Sequence, residues 1–190
     1  MRRRVVITGL GAITPVGVGV GKSWQALCAG RSGIARITKF DATGYRTQVA
    51  GEVNDFRAED FLDAKMVRRT DRYIHFALAA AQMAMEDAGF KVTPENEKRV
   101  GVIVGTTSGG ISTYEKNHES LLRGARNEVS PFFIPAFLLC MAAAQITMRF
   151  GAKGPSFGPS TACAASTHAI GDAFWLIQRG AVDAVITGGS

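Results

Sequence analysis

The chain has 190 residues, 46% of them hydrophobic and 20% charged, enough to bury a sizeable core and unlike a disordered or fibrous composition. Three cysteines, with no CxxC pair, argue against a disulfide framework or a zinc site and for a reducing compartment, the cytoplasm. A formal charge of +6 favours an acidic partner, protein or nucleic acid, without naming it.

Arg2, Arg3 and Arg4 ahead of an apolar run imitate a signal peptide, but Gly9, Gly11, Pro15 and Gly17 break the run and no small-x-small cleavage site follows. Residues 5–10 (VVITGL), apolar and rich in β-branched side chains, predict a buried central strand. The glycine-rich stretch after it matches neither nucleotide motif. A dinucleotide fingerprint needs a third glycine where Thr14 stands, and a phosphate loop ending at Ser23 needs glycine where Val16 stands. These glycines serve a tight turn leading into a helix over 23–29.

Residues 30–60 are irregular, with a strand-like piece over 48–53. Lys65, Arg68, Arg69 and Arg72 then recur at i, i+3, i+4 and i+7, which predicts one helix carrying all four on one face. Such a face is either solvated or a docking patch for an acidic partner. Ile74, Ala77, Leu78, Ala81, Met85 and Ala88 form the apolar stripe of a helix ending at Gly89. A second buried strand is predicted over 99–106, a flexible turn over 107–110 and a surface helix over 114–123. Residues 129–148 carry no charge, long enough to span a bilayer, yet Pro131, Pro135, Gln145 and Thr147 fit a buried helix running from Pro135 to Phe150 better. The expected protein is soluble.

The segment 154–179 (GPSFGPSTACAASTHAIGDAFWLIQR) organises the rest. A strand-like run breaks at Pro159, and Cys163 stands in the first turn of a predicted buried helix, with Ser160 or Thr161 as side-chain cap. Unpaired amide groups and the positive end of the helix dipole favour a thiolate there, and Ala164, Ala165 and Ser166 leave room beside it. The bland alternative is a small buried cysteine packed as a hydrophobe. Residues 181–188 form a last buried strand. Strands alternating with helices predict an α/β fold, a mostly parallel sheet with helices on both faces.

The run Ser160 to Ser166 (STACAAS), with Thr14-Pro15-Val16-Gly17 and Ser130-Pro131-Phe132-Phe133, resembles the β-ketoacyl-acyl carrier protein synthases, most nearly the elongating type II enzymes of fatty acid synthesis. The cysteine segment is also similar to polyketide ketosynthase domains. The resemblance covers essentially all 190 residues and implies the N-terminal half of a thiolase-like fold, the C-terminal half being absent from the chain. It implies Cys163 as acyl-accepting nucleophile, and acyl-pocket roles for Ser108, Phe133, Ile134 and Phe137. Relatives tend to carry a bulky gate at the place of Ser108, so chain-length selection departs from their pattern here.

The resemblance further implies carrier-protein docking at Lys65, Arg68 and Arg69, acyl and malonyl thioester substrates, a homodimer, and no cofactor, metal, nucleic acid or membrane. The family's two decarboxylation histidines and its lysine are not matched: His75 lies beside an apolar stripe, His118 on a surface helix, and His168 about 140° around the helix from Cys163. His168 is therefore read as structural. The enzyme reading competes with a non-catalytic carrier-binding module and with a nucleic-acid binder, which no aromatic-basic interleaving supports. Half of a two-lobed core is also expected to leave apolar faces wet and to aggregate.

Overall fold

A computed structural model describes residues 3–190; Arg2, of the basic N-terminal cluster, lies outside them. In chain order the elements are β1 (Ile13–Thr14), β2 (Gly17–Val18), α1 (Val20–Cys28), β3 (Ile34–Arg36), β4 (Val49–Gly51), α2 (Ala64–Arg69) and α3 (Arg72–Asp87). They continue with β5 (Val100–Gly105), α4 (Ile111–Leu122), α5 (Phe133–Phe137), α6 (Met141–Phe150), β6 (Ser156–Phe157), α7 (Ala165–Gln178) and β7 (Ala184–Gly189).

The strand β5, VGVIVG, is buried along its whole length, as a continuous apolar run bounded by turn residues predicts. It is the middle of a parallel sheet in the order β6-β5-β7. Its alternating side chains feed two cores. Val100, Val102 and Val104 pack with Ile74, Leu78 and Ile146 from α3 and α6, while Ile103 packs with Ala169, Ala173 and Leu176 of α7. Helices therefore cover both faces, which is the expected α/β layering. A fully buried side chain such as Leu78 contributes about 1.5–3 kcal/mol to this core. The pairs β1–β2 and β3–β4 are short antiparallel ladders outside the main sheet.

Four expectations are corrected. Residues 5–10 form no strand, and Val6, Ile7 and Leu10 are exposed. Both edges of β5 are taken by β6 and β7, and the run lies instead against α3, where a Cβ on Gly11 would stand 1.9 Å from the Ala80 carbonyl and Leu10 N–H donates to Asp87 (2.9 Å).

The four basic residues do not share one helix. Thr70 leaves helical geometry (φ −128°, ψ 159°) and its hydroxyl donates to the Met66 carbonyl (2.7 Å), so α2 ends and Arg72 opens α3. With that hydroxyl spent as donor, Thr70 accepts from His75 Nε2–H (3.0 Å); burial pushes this imidazole below its usual range. The apolar helix from Pro135 is two helices, parted at Leu138 (ψ 139°), whose carbonyl accepts from the Tyr73 hydroxyl. Desolvation holds that phenol above its ordinary range. Finally, α7 is buried along one stripe only, leaving Ile170, Phe174 and Trp175 exposed.

Among the described residues no helix is long and apolar enough to cross a membrane. The accessible surface is 11,853 Å², against about 8,800 Å² for a typical monomer of this mass.

The turn into β7 is clamped to the start of β5. Arg99 donates to Asp183 through Nε (2.9 Å) and Nη2 (2.7 Å), and Arg3 donates to the same carboxylate (2.8 Å). These hydrogen bonds, Arg99's first, hold Asp183 well below the usual carboxylate range. A folded value below the unfolded one means the stabilisation is complete above pH ~4 and is lost as pH falls below it. Asp183→Asn should therefore melt lower at pH 7, by no more than an exposed ion pair supplies, and thermal melts should show the gap narrowing steadily below pH ~4. A gap unchanged by acid would contradict this clamp.

Candidate functional site

Cys163 sits in a short 3₁₀ turn, Ala162–Ala164, immediately before the first residue of α7, and it is exposed. The strand β6 and Pro159 lead into the turn, and α7 carries it away. The start of α7 is pressed onto the ends of β5 and β7. A Cβ on Gly105 would lie 2.3 Å from the Ala165 carbonyl, and one on Gly189 would lie 1.7 Å from Ser166 Oγ. Gly105 and Gly189 are register partners, so two bare strand ends side by side seat the helix that carries the cysteine.

The predicted cap is not made. Neither Ser160 nor Thr161 bonds the amides of the turn by its side chain; Thr161 Oγ1 pairs with His168 Nδ1 (2.6 Å). His168 is exposed and is held by this contact at the side of the turn. Ala162 holds φ +51°, a left-handed conformation costing an alanine on the order of 1–2 kcal/mol. Thr107, at the end of β5, donates its hydroxyl to the Ala162 carbonyl (3.1 Å). Among the described residues the Cys163 N–H has no hydrogen-bond partner.

The turn after β5 also reaches the aromatic residues. Gly110 N–H donates to the Phe137 carbonyl (3.1 Å), bringing Ser108 close to α5 in the fold. Phe133 and Phe137 stack at 5.5 Å, and Tyr114 of α4 lies 5.4 Å from Phe137. Ile134 points outward and is 53% exposed. Two pockets, one beside Lys22 and Arg31 and one beside Met85 and Phe150, are lined by neither Cys163 nor these residues. The 107–110 turn thus joins the exposed Cys163 and Ser108 to the half-buried aromatic pair.

Lys65, Arg68 and Arg69 are exposed on α2. The Arg69 guanidinium lies 4.3 Å from the Phe132 ring centroid, which ties this basic face to the α5 aromatics. Arg72 is turned elsewhere, over Phe76 at 4.9 Å and onto the Val53 carbonyl (2.6 Å). Sequence reasoning missed Thr107 and Tyr114, since a hydroxyl and a ring on separate elements carry no periodic signal. The two other cysteines, Cys28 and Cys140, are exposed; Cys28 ends α1 and Cys140 precedes α6, and neither follows a left-handed non-glycine residue.

Residues 2–190 match the family described as β-ketoacyl synthase, N-terminal domain. The chain belongs to that family. A 3-oxoacyl-(acyl-carrier-protein) synthase 2 of Coxiella burnetii is 43% identical over 189 residues, 100% of this chain and 46% of the relative. Its counterpart in a Synechocystis species is 45% identical over 100% of this chain and 45% of the relative. The solved ishigamide ketosynthase/chain length factor superposes with a TM-score of 0.88 at 32% identity, covering 100% of this chain and 47% of that one. The β-ketoacyl synthase chain therefore has the thiolase-like α/β fold, and it spans about half the length of the curated relatives it matches.

Proposed function

We propose that this chain provides the acyl-accepting part of a condensing enzyme of fatty acid biosynthesis, with Cys163 as nucleophile. The observation that carries this reading is the exposed Cys163 held in a strained turn at the head of α7, within a β-ketoacyl synthase chain. In the first half-reaction the Cys163 thiolate attacks the thioester carbonyl of an acylated carrier protein. The carbonyl electron pair moves onto oxygen and returns to expel the carrier thiolate, which takes a proton, leaving the acyl group as a Cys163 thioester. The unpartnered Cys163 N–H is one donor to the transient oxyanion; loss of such a donor typically costs about 10²–10³ in rate.

In the second half-reaction a malonyl carrier protein loses carbon dioxide, and the resulting enolate carbon attacks the Cys163 thioester, expelling the thiolate. The carbon–carbon bond forms and both steps balance without a cofactor or metal. The enolate oxygen needs hydrogen-bond donors. His75 is spent on Thr70, His168 on Thr161, and His118 stacks on Tyr114 at 5.6 Å. We assign the decarboxylation groups to a C-terminal half outside these 190 residues, in keeping with the 46% of the Coxiella burnetii relative that the chain spans.

Lys65, Arg68 and Arg69 form the docking face for an acidic carrier protein, supported by the +6 charge. Ser108, Phe133 and Phe137 contact the acyl chain, with Ile134 at their edge. The enzyme works in the cytoplasm as a homodimer, a reading that follows from the family resemblance.

Mixing the full-length protein with an acyl-carrier thioester should release one equivalent of carrier thiol in a burst. Retention of the carrier on an affinity surface without thiol release would instead mark a binding module.

A further inference from the structure

The Ala162–Cys163 peptide has a carbonyl that is held and an amide that is free. No cis peptide occurs among the described residues, so this peptide is trans and planar, and its C=O and N–H point in opposite directions. Whatever fixes the carbonyl therefore aims the N–H. The Ala162 carbonyl accepts from the N–H of Ala165, the first residue of α7, which follows the turn directly. It also accepts from the Thr107 hydroxyl, which is anchored two residues past the end of the fully buried strand β5. Among the described residues this is the one side-chain hydrogen bond to that carbonyl, and the one that ties it to the β5 side. Ala162 needs such a restraint, because an alanine at φ +51° relaxes toward negative φ when released, and that relaxation rotates the following peptide.

We infer that Thr107 is a positioning residue that aims the Cys163 N–H at the oxyanion formed during acyl transfer. It does so through the Ala162 carbonyl, without touching the acyl group. This rests on the reading of Cys163 as acyl acceptor. It separates two reactions of the same sulfur: alkylation by iodoacetamide displaces iodide and develops no oxyanion, whereas attack on a thioester does.

The test uses full-length protein and the variants Thr107→Val, close in shape but lacking the hydroxyl, and Thr107→Ser, which keeps it. Cys163 is reacted with iodoacetamide and, separately, with an acyl-carrier thioester. Thr107→Val should lower the acylation rate by about 10- to 100-fold, a large part of what loss of an oxyanion donor costs. Its alkylation rate should stay within about twofold of wild type, and Thr107→Ser should recover most of the acylation rate. Acylation by Thr107→Val at the wild-type rate would overturn the inference while leaving Cys163 as acyl acceptor. A parallel fall in both rates, not recovered by serine, would overturn it as well, marking Thr107 as generally structural. A wild-type protein that alkylates at Cys163 but is never acylated there would overturn the acyl-transfer reading itself, and the inference with it.

Discussion

Cys163→Ala protein should form no acyl-enzyme and should lose condensation entirely, to the background of the uncatalysed reaction, while Cys28→Ala and Cys140→Ala stay within about twofold of wild type. All three thiols are exposed, so accessibility does not separate them. Placement does. Only Cys163 stands in a turn with a left-handed alanine, a clamped carbonyl and a free amide, at the head of a 14-residue helix. Cys28 is the last residue of α1, and Cys140 lies in the connection between α5 and α6. Rates of product formation with the three variants, each checked for an unchanged melting temperature, measure this difference. Residual condensation by Cys163→Ala above background would contradict it.

Gly105→Ala should be the most damaging single methyl in the main sheet. Its Cβ would meet the Ala165 carbonyl at 2.3 Å, a backbone atom in the first turn of α7 with no rotamer to escape into. Overpacking of this kind costs typically 1–3 kcal/mol and sometimes more. The structure can relieve it only by lifting the head of α7 off the sheet, which carries Cys163 along. A lowered melting temperature and a loss of acylation at least tenfold beyond any loss of folded protein are expected, since small misplacements of reacting groups are costly. The register partner Gly189 should behave alike, its Cβ falling 1.7 Å from Ser166 Oγ and 2.6 Å from Ser166 Cβ. Calorimetry together with burst amplitudes separates stability from geometry. An unchanged burst in a stably folded Gly105→Ala protein would show that the glycine pair does not seat the cysteine turn.

What was legible in the sequence is what local pattern encodes. The strand β5 shows as an unbroken apolar run with turn residues after it, and α3 shows as a stripe at helical spacing ending before Gly89. The cysteine turn was legible through the STACAAS motif, not through periodicity. The failures are places where a tertiary partner decides. The apolar run at 5–10 reads as a strand, but the edges of β5 are filled, and periodicity cannot see which edges are free. One basic helix became two elements at Thr70 and Asp71, both extended, where the Asp71 carboxylate accepts from the Thr113 N–H and hydroxyl of α4, a contact that spacing ignores. The split at Leu138 is answered by a tyrosine 65 residues away in sequence. Two-residue ladders such as β1–β2 and β6 are too short to carry a period. The Thr107–Ala162 contact spans 55 residues and depends on the fold having brought β5 to the head of α7.

On the proposed reading, one sulfur at the head of α7 carries the acyl group. Peptide mass mapping of the full-length protein after brief exposure to an acyl-carrier thioester, quenched in acid to preserve thioesters, tests it most directly. A single acyl adduct on the peptide containing Cys163 is the predicted result. An adduct on Cys28 or Cys140, with Cys163 left unmodified, would contradict it.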